Sequence, residues 1–214
     1  MTSPVSLGLD VTVLLATFAV ILPAELPDKS FIATLVLATR YPRLPVWLGA
    51  SAAFLVQMLI AVAAGRLLAF LPRTLVLGAT AVLFFVGAAL LIRGGMQARE
   101  EATREEDEEA EEIASHVRAG QRGFAAFATT FVIIFTAEWG DLTQLIAAGQ
   151  AARTDSPVAV FIGASAALVL VAGLGVLVGG WLHQRVPLWR VRVVSGVILL
   201  VLGAVTIVEL VNGA

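Results

Sequence analysis

Long apolar runs separated by short polar turns dominate the chain, and they predict helices that cross a membrane. The apolar residues are continuous within each run. A small β-barrel is therefore disfavoured, because its strands would alternate apolar and polar residues. The predicted helices occupy residues 9–38, 46–68, 74–92, 124–150, 157–181 and 191–211.

One long polar segment divides the chain. Nine of the sixteen acidic residues lie between Glu100 and Glu112. A solvated helix or a disordered linker is the simplest interpretation, and an acidic segment that gathers cations is a second one. The expected organisation is a first helical unit at residues 1–93, an acidic linker at 94–123 and a second unit at 124–214.

The two units are related by an internal repeat. The sequence AELPDKS at residues 24–30 corresponds to AEWGDLT at 137–143, and GASAA at 49–53 recurs at 163–167. Each unit has three helices, so the second must enter the membrane from the opposite side, as in many secondary transporters. The predicted fold is an all-α membrane protein of six transmembrane helices, arranged as two inverted three-helix repeats.

The arginine distribution predicts the orientation. Ten arginines lie in the loops on the side of the acidic linker, and three lie on the other side. Positive charge favours the cytoplasmic side, so the linker is expected in the cytoplasm and both termini outside. The N-terminus lacks the basic start of a secretory signal, so the first helix is expected to remain in the mature protein. A bacterial-type plasma membrane is the expected location.

Composition limits the chemistry. The chain is 59% hydrophobic, its mean hydropathy is +0.93, and it has no cysteine. Thiolate metal sites and disulfides are therefore excluded, and both histidines lie outside the apolar runs. No prosthetic group and no nucleic-acid partner are expected. The expected partners are the bilayer, divalent cations and protons, and a homo-oligomer remains open.

The two copies of the motif place four acids in apolar helices. Glu25 and Asp28 are three residues apart, as are Glu138 and Asp141, so each pair would share a face of a continuous helix. Each charge costs at least about 2.5–3.5 kcal/mol at the bilayer centre. Lys29 is the one counter-charge at this depth. The simpler alternative is that the acids pair with Lys29 and hold helices together, but four acids outnumber one base. We therefore predict that they form a site for a divalent cation.

Helix breakers accompany the acids. Pro23 and Pro27 are expected to interrupt the first helix, and Gly140 the fourth, which makes both helices discontinuous. Carbonyls freed near Pro27 and Gly140 would add ligands. Further candidates for secondary ligation, packing or gating are Ser30, Thr143, Gln144 and Lys29.

Oxygen-only ligands select hard cations such as Ca²⁺, Mn²⁺ or Mg²⁺. The paired motif resembles the signature E-x-G-D, followed by Lys or Arg and then Ser or Thr, of the Gdt-type membrane proteins (uncharacterised protein family 0016) in the cation/Ca²⁺ exchanger superfamily. The resemblance implies a transporter of Mn²⁺ or Ca²⁺ that exchanges against protons at the motif acids. Two residues depart from the signature: Pro27 replaces its glycine, and Leu142 replaces its basic residue.

The resulting hypothesis is a secondary transporter, not an enzyme, that exports Mn²⁺ or Ca²⁺ from the cytoplasm in exchange for protons by alternating access. The alternative is an exporter of small solutes such as amino acids, in which Lys29 would bind the substrate carboxylate. An intramembrane aspartyl protease using Asp28 and Asp141 is disfavoured, because the expected Tyr-Asp and Gly-x-Gly-Asp contexts are absent.

Overall fold

A computed structural model describes residues 10–25, 29–68, 70–96, 121–185 and 188–212, with side chains for all of these except 29, 73 and 178–192. Within these ranges the regular structure is helical, and no strand is present. The helices are α1 (Val11–Glu25), α2 (Lys29–Arg40), α3 (Arg43–Leu68), α4 (Arg73–Met96), α5 (Phe124–Ala137), α6 (Leu142–Arg153), α7 (Pro157–Arg185) and α8 (Leu188–Asn212).

Four of these helices, α3, α4, α7 and α8, are long and apolar enough to cross a membrane. The other four form two bent pairs. The axes of α1 and α2 differ by 66°, and those of α5 and α6 by 74°. If each bent pair is one span, six described segments can cross the membrane. The predicted interruption of the first and fourth apolar segments is therefore present.

The position of the first interruption differs from the prediction in one respect. Pro23 lies inside α1, which continues to Glu25. The prediction that Pro23 breaks the helix is therefore wrong. A proline removes one backbone donor, and packing of the surrounding turn can hold the helix together across it. Here Val20, Ile21 and Ala24 are buried around it. The break follows Glu25 instead, and Pro27 lies outside the described residues.

Glycines allow close contacts between helices of the two halves. A Cβ atom at Gly49 on α3 would lie 2.5 Å from the carbonyl oxygen of Phe127 on α5. A Cβ atom at Gly163 on α7 would collide in the same way with the carbonyl oxygen of Leu14 on α1. Both glycines begin a copy of the GASAA run. At these two positions the run of small residues lets the helices approach closely.

The remaining helices complete the bundle. α3 also packs against α6 and α7, and α4 packs along α8. At the C-terminal end of α6, Arg153 donates a 2.8 Å hydrogen bond to Oγ1 of Thr206 and pairs with Oε2 of Glu209 at 3.3 Å. These bonds fix the far end of α6 on α8. The opposite end of α6 carries the second motif.

Candidate metal and proton site

The second motif forms the break between α5 and α6. Glu138, Trp139 and Gly140 make a turn, and Gly140 has a φ of 77°, in the left-handed region that glycine adopts without strain. Asp141 follows as the N-cap of α6, and its Oδ1 accepts a 2.9 Å hydrogen bond from the backbone N–H of Gln144. The expectation that Glu138 and Asp141 share a helix face is wrong, because the helix is interrupted between them.

The side chain of Gln144 binds the backbone on the other side of this break. Its Nε2 donates to the carbonyl oxygen of Glu138, and its Oε1 accepts a 3.3 Å hydrogen bond from the backbone N–H of Gly140. Both ends of the amide therefore bind backbone groups at the interruption of the helix. The carbonyl oxygen of Glu138 also accepts a 3.4 Å hydrogen bond from the backbone N–H of Asp141. In this structure Gln144 supports the break; ligation of a metal by Gln144 remains a prediction.

The first motif lies at the break between α1 and α2. Glu25 is the last residue of α1, and its side chain is fully buried. Ser30, on the first turn of α2, donates a 2.8 Å hydrogen bond from its hydroxyl to Oε2 of Glu25. Residues 26–28, which include Pro27 and Asp28, lie outside the described residues, as does the side chain of Lys29.

Burial is similar in the two copies. Glu25 and Glu138 are 0% and 3% exposed, and the hydroxyl residues Ser30 and Thr143 are 1% and 3% exposed. Removing a carboxylate from water is costly unless it is protonated, paired or bound to a cation. The two glutamates are therefore the most strongly desolvated acids of the described motif residues. Asp141 is only partly buried.

The described acids do not complete a metal site by themselves. Within the described ranges, no three side chains of His, Cys, Asp or Glu lie close enough together to hold a metal ion. One reason is local: the carboxylate of Asp141 is directed to the first turn of α6 as its cap. The fourth acid of the predicted set, Asp28, is outside the described residues, so the four-carboxylate site stays a prediction.

Two polar contacts beside the breaks were not predicted. The hydroxyl of Ser195 on α8 donates to the carbonyl oxygen of Pro23. In a regular helix that carbonyl would bind the N–H four residues later, but this residue is Pro27, which has no N–H. On the other side, Nε2 of the buried Gln57 on α3 donates to the carbonyl oxygen of Phe135 at 3.1 Å, near the end of α5. The Pro23–Pro27 spacing is a sequence signal for the first contact.

These features define an all-helical membrane protein with an acidic residue at each of two helix breaks. The chain belongs to the GDT1 family of divalent cation/proton antiporters, whose family model matches residues 13–99 and 126–214. The resemblance to Gdt-type proteins is thereby confirmed. The family consists of transporters rather than enzymes, and it does not support the alternative of a small-solute exporter.

The relatives include a cyanobacterial protein and chloroplastic proteins of plants. The chain is 29% identical to GDT1-like protein sll0615 of Synechocystis sp., over 87% of this chain and 92% of the relative. It is 31% identical to the chloroplastic GDT1-like protein 1 of Oryza sativa subsp. indica, over 92% of this chain and 62% of the relative. It is 30% identical to the chloroplastic protein PAM71 of Arabidopsis thaliana, over 92% of this chain and 57% of the relative. The chain thus spans about three fifths of the chloroplastic relatives. No solved structure matches it.

Proposed function

We propose that this chain is a secondary transporter that exchanges Mn²⁺ or Ca²⁺ for protons. The observation that carries the proposal is the burial of Glu25 and Glu138 at the two helix breaks, at corresponding positions of the sequence repeat. A carboxylate at such a position can be neutralised by a proton or by a bound cation. An antiporter for cations and protons needs a group that alternates between these two states.

The proposed metal site combines the acids of both breaks. Glu25, Asp28, Glu138 and Asp141 supply only oxygen ligands, which favour hard cations such as Ca²⁺ and Mn²⁺. Backbone carbonyls at the broken helix ends add further oxygens of the same kind. Because Oδ1 of Asp141 also caps α6, binding of an ion there is expected to depend on the position of α6.

We place these acids between two inverted three-helix repeats that cross the membrane six times, with α1–α2 and α5–α6 as the broken spans. Support comes from the two reciprocal glycine contacts, Gly49 with Phe127 and Gly163 with Leu14, which use corresponding positions of the repeat. The family match also divides at the acidic linker. The arginine distribution favours a cytoplasmic linker and external termini in a bacterial-type plasma membrane.

In this scheme transport follows alternating access. A cation enters from the cytoplasm and displaces protons from the motif acids. The two repeats then rock against each other, the ion leaves on the outer side, and protons neutralise the acids for the return. Lys29, next to Asp28 in the sequence, can provide a positive charge in the emptied site. Export driven by inward proton movement is the direction that we propose.

The transport proposal is tested in liposomes with an acidic interior. Wild-type protein should accumulate Mn²⁺ or Ca²⁺ inside as protons leave, and dissipation of the pH gradient should stop the accumulation. Glu25→Gln and Asp141→Asn should each abolish the flux, whereas Asp155→Asn, in an exposed turn, should keep it. Wild-type flux in both motif variants would refute the proposed site.

The choice of ion is tested separately by thermal unfolding in the presence of Mn²⁺, Ca²⁺, Mg²⁺ or Na⁺. A ligand that binds only the folded protein raises the unfolding temperature in proportion to the logarithm of its excess over Kd. The transported cation should give the largest shift, and Glu25→Gln should remove that shift. A shift produced by Na⁺ alone would contradict divalent-cation binding.

A further inference from the structure

A groove of about 650 Å³ lies between α3 and α7, and none of its described lining residues belongs to the two motifs. Its rim is formed by exposed apolar side chains, among them Leu44, Leu170 and Leu177. Gly173 lines it without a side chain and leaves space beside the indole of Trp47. The volume falls within the range of about 300–1,000 Å³ that is typical of pockets for small molecules.

One end of the groove carries a positive charge. Among the described residues that line it, Arg43 is the only charged one, and it is the first residue of α3. The Nε1 group of Trp47 donates a 3.2 Å hydrogen bond to the carbonyl oxygen of Val169. The indole thus has its one polar group satisfied inside the protein, and its apolar ring surface remains to line the groove. The site therefore combines an apolar channel with a cationic end.

We propose that this groove binds an anionic phospholipid, with an acyl chain against Leu170 and Leu177 and the phosphate on Arg43. The guanidinium group can donate two parallel N–H bonds to a phosphate. The N-terminus of α3 adds a partial positive charge at the same end. A zwitterionic lipid offers the same phosphate, but its own ammonium group competes with Arg43. A net-anionic lipid has no such competitor, so charge complementarity favours it.

The test is the affinity of the purified full-length chain for phosphatidylglycerol and for phosphatidylcholine, measured by native mass spectrometry. Wild-type protein should bind one phosphatidylglycerol about fivefold more tightly than phosphatidylcholine, the ratio expected for one Arg–phosphate attraction at a membrane surface. Arg43→Gln should bind the two lipids equally. Arg43 is exposed, so this substitution should leave the fold intact.

Two further variants separate this site from general attraction to lipid. Arg40→Gln removes an exposed arginine that does not line the groove, and it should keep the wild-type preference. Gly173→Leu fills the groove, and it should reduce tight binding of both lipids while the protein elutes as the same single species. The proposal is overturned if wild-type protein binds both lipids equally, if Arg43→Gln keeps the preference, or if Arg40→Gln loses it to the same extent.

Discussion

The hydroxyl of Ser30 donates a 2.8 Å hydrogen bond to Oε2 of Glu25. Glu25 is the last residue of α1 and Ser30 the second residue of α2, so this bond spans the first helix break. Both side chains are buried. Since a hydroxyl can rotate to suit an ionised or a protonated carboxyl group, Ser30 can hold Glu25 in place through an exchange of metal for protons.

Removal of this hydroxyl should weaken metal binding. A hydrogen bond contributes about 1.5–3 kcal/mol to a charged group and about 0.5–1.5 kcal/mol to a neutral one, so this bond favours the ionised form of Glu25 by about 1 kcal/mol, or roughly fivefold in affinity. Ser30→Ala should therefore raise the Kd for the transported cation about fivefold in a titration, whereas Ser30→Thr, which keeps the hydroxyl, should stay close to wild type. Equal affinities for Ser30→Ala and wild type would argue against a role of this bond in the site.

Gln144 should stabilise the second break. Gln144→Leu keeps a side chain of similar size but leaves the carbonyl of Glu138 and the N–H of Gly140 without their side-chain partner. Neither bond is fully buried, so each contributes about 0.5–1.5 kcal/mol, as ordinary intramolecular hydrogen bonds do. Thermal unfolding should show a lower Tm, by several degrees. As a control, Leu145→Ala, at an exposed neighbouring position, should change the Tm less. An unchanged Tm for Gln144→Leu would contradict a stabilising role of the amide.

The conformation of Gly140 can be tested by two substitutions that differ in their tolerance of a positive φ. Apart from its two chain neighbours, no atom of the described residues lies within 4 Å of the position of a Cβ, so space is not limiting there. Alanine in the left-handed region costs about 1–2 kcal/mol, and asparagine costs less. Gly140→Ala should therefore unfold at a lower temperature than Gly140→Asn. The reverse order would contradict the left-handed turn.

Ser195 should stabilise the first break, because Pro27 has no N–H to donate to the carbonyl of Pro23. The carbonyl of Pro23 lacks its usual helical donor, and the hydroxyl of Ser195 supplies one from α8. Ser195→Ala should lower the free energy of unfolding by about 1–3 kcal/mol. Ser195→Thr, which keeps a hydroxyl, should have a free energy of unfolding close to that of the wild type. In the background Pro27→Ala, which restores an N–H at this position, the cost of Ser195→Ala should become smaller. An unchanged cost in that background would contradict this explanation.

The helices were largely predictable, because a long apolar run leaves few other structures in a membrane. The breaks were predictable in outline from Pro27 and Gly140. Inside the second break, a signal was missed: Asp141 stands three residues before Gln144, which is the spacing of a capping box. That spacing indicates a helix start at Asp141, and it argues against one continuous face for Glu138 and Asp141.

Contacts between helices that are distant in sequence were less predictable. The bond from Ser195 to Pro23 depends on the rotation and depth of α8 relative to α1, which one sequence does not determine. The same applies to the bond from Gln57 to Phe135. The Pro23–Pro27 spacing identifies a carbonyl in need of a donor, but packing decides which side chain supplies it.

The central claim is that Glu25 and Glu138 bind a metal ion and protons in alternation. The most direct measurement is proton release when Mn²⁺ or Ca²⁺ is added to purified protein in weakly buffered solution, followed with a pH-sensitive dye. Wild-type protein should release protons in step with saturable binding of the metal, and Glu25→Gln and Glu138→Gln should each reduce both signals together. If both variants bind the metal with wild-type affinity and release as many protons, the claim is contradicted.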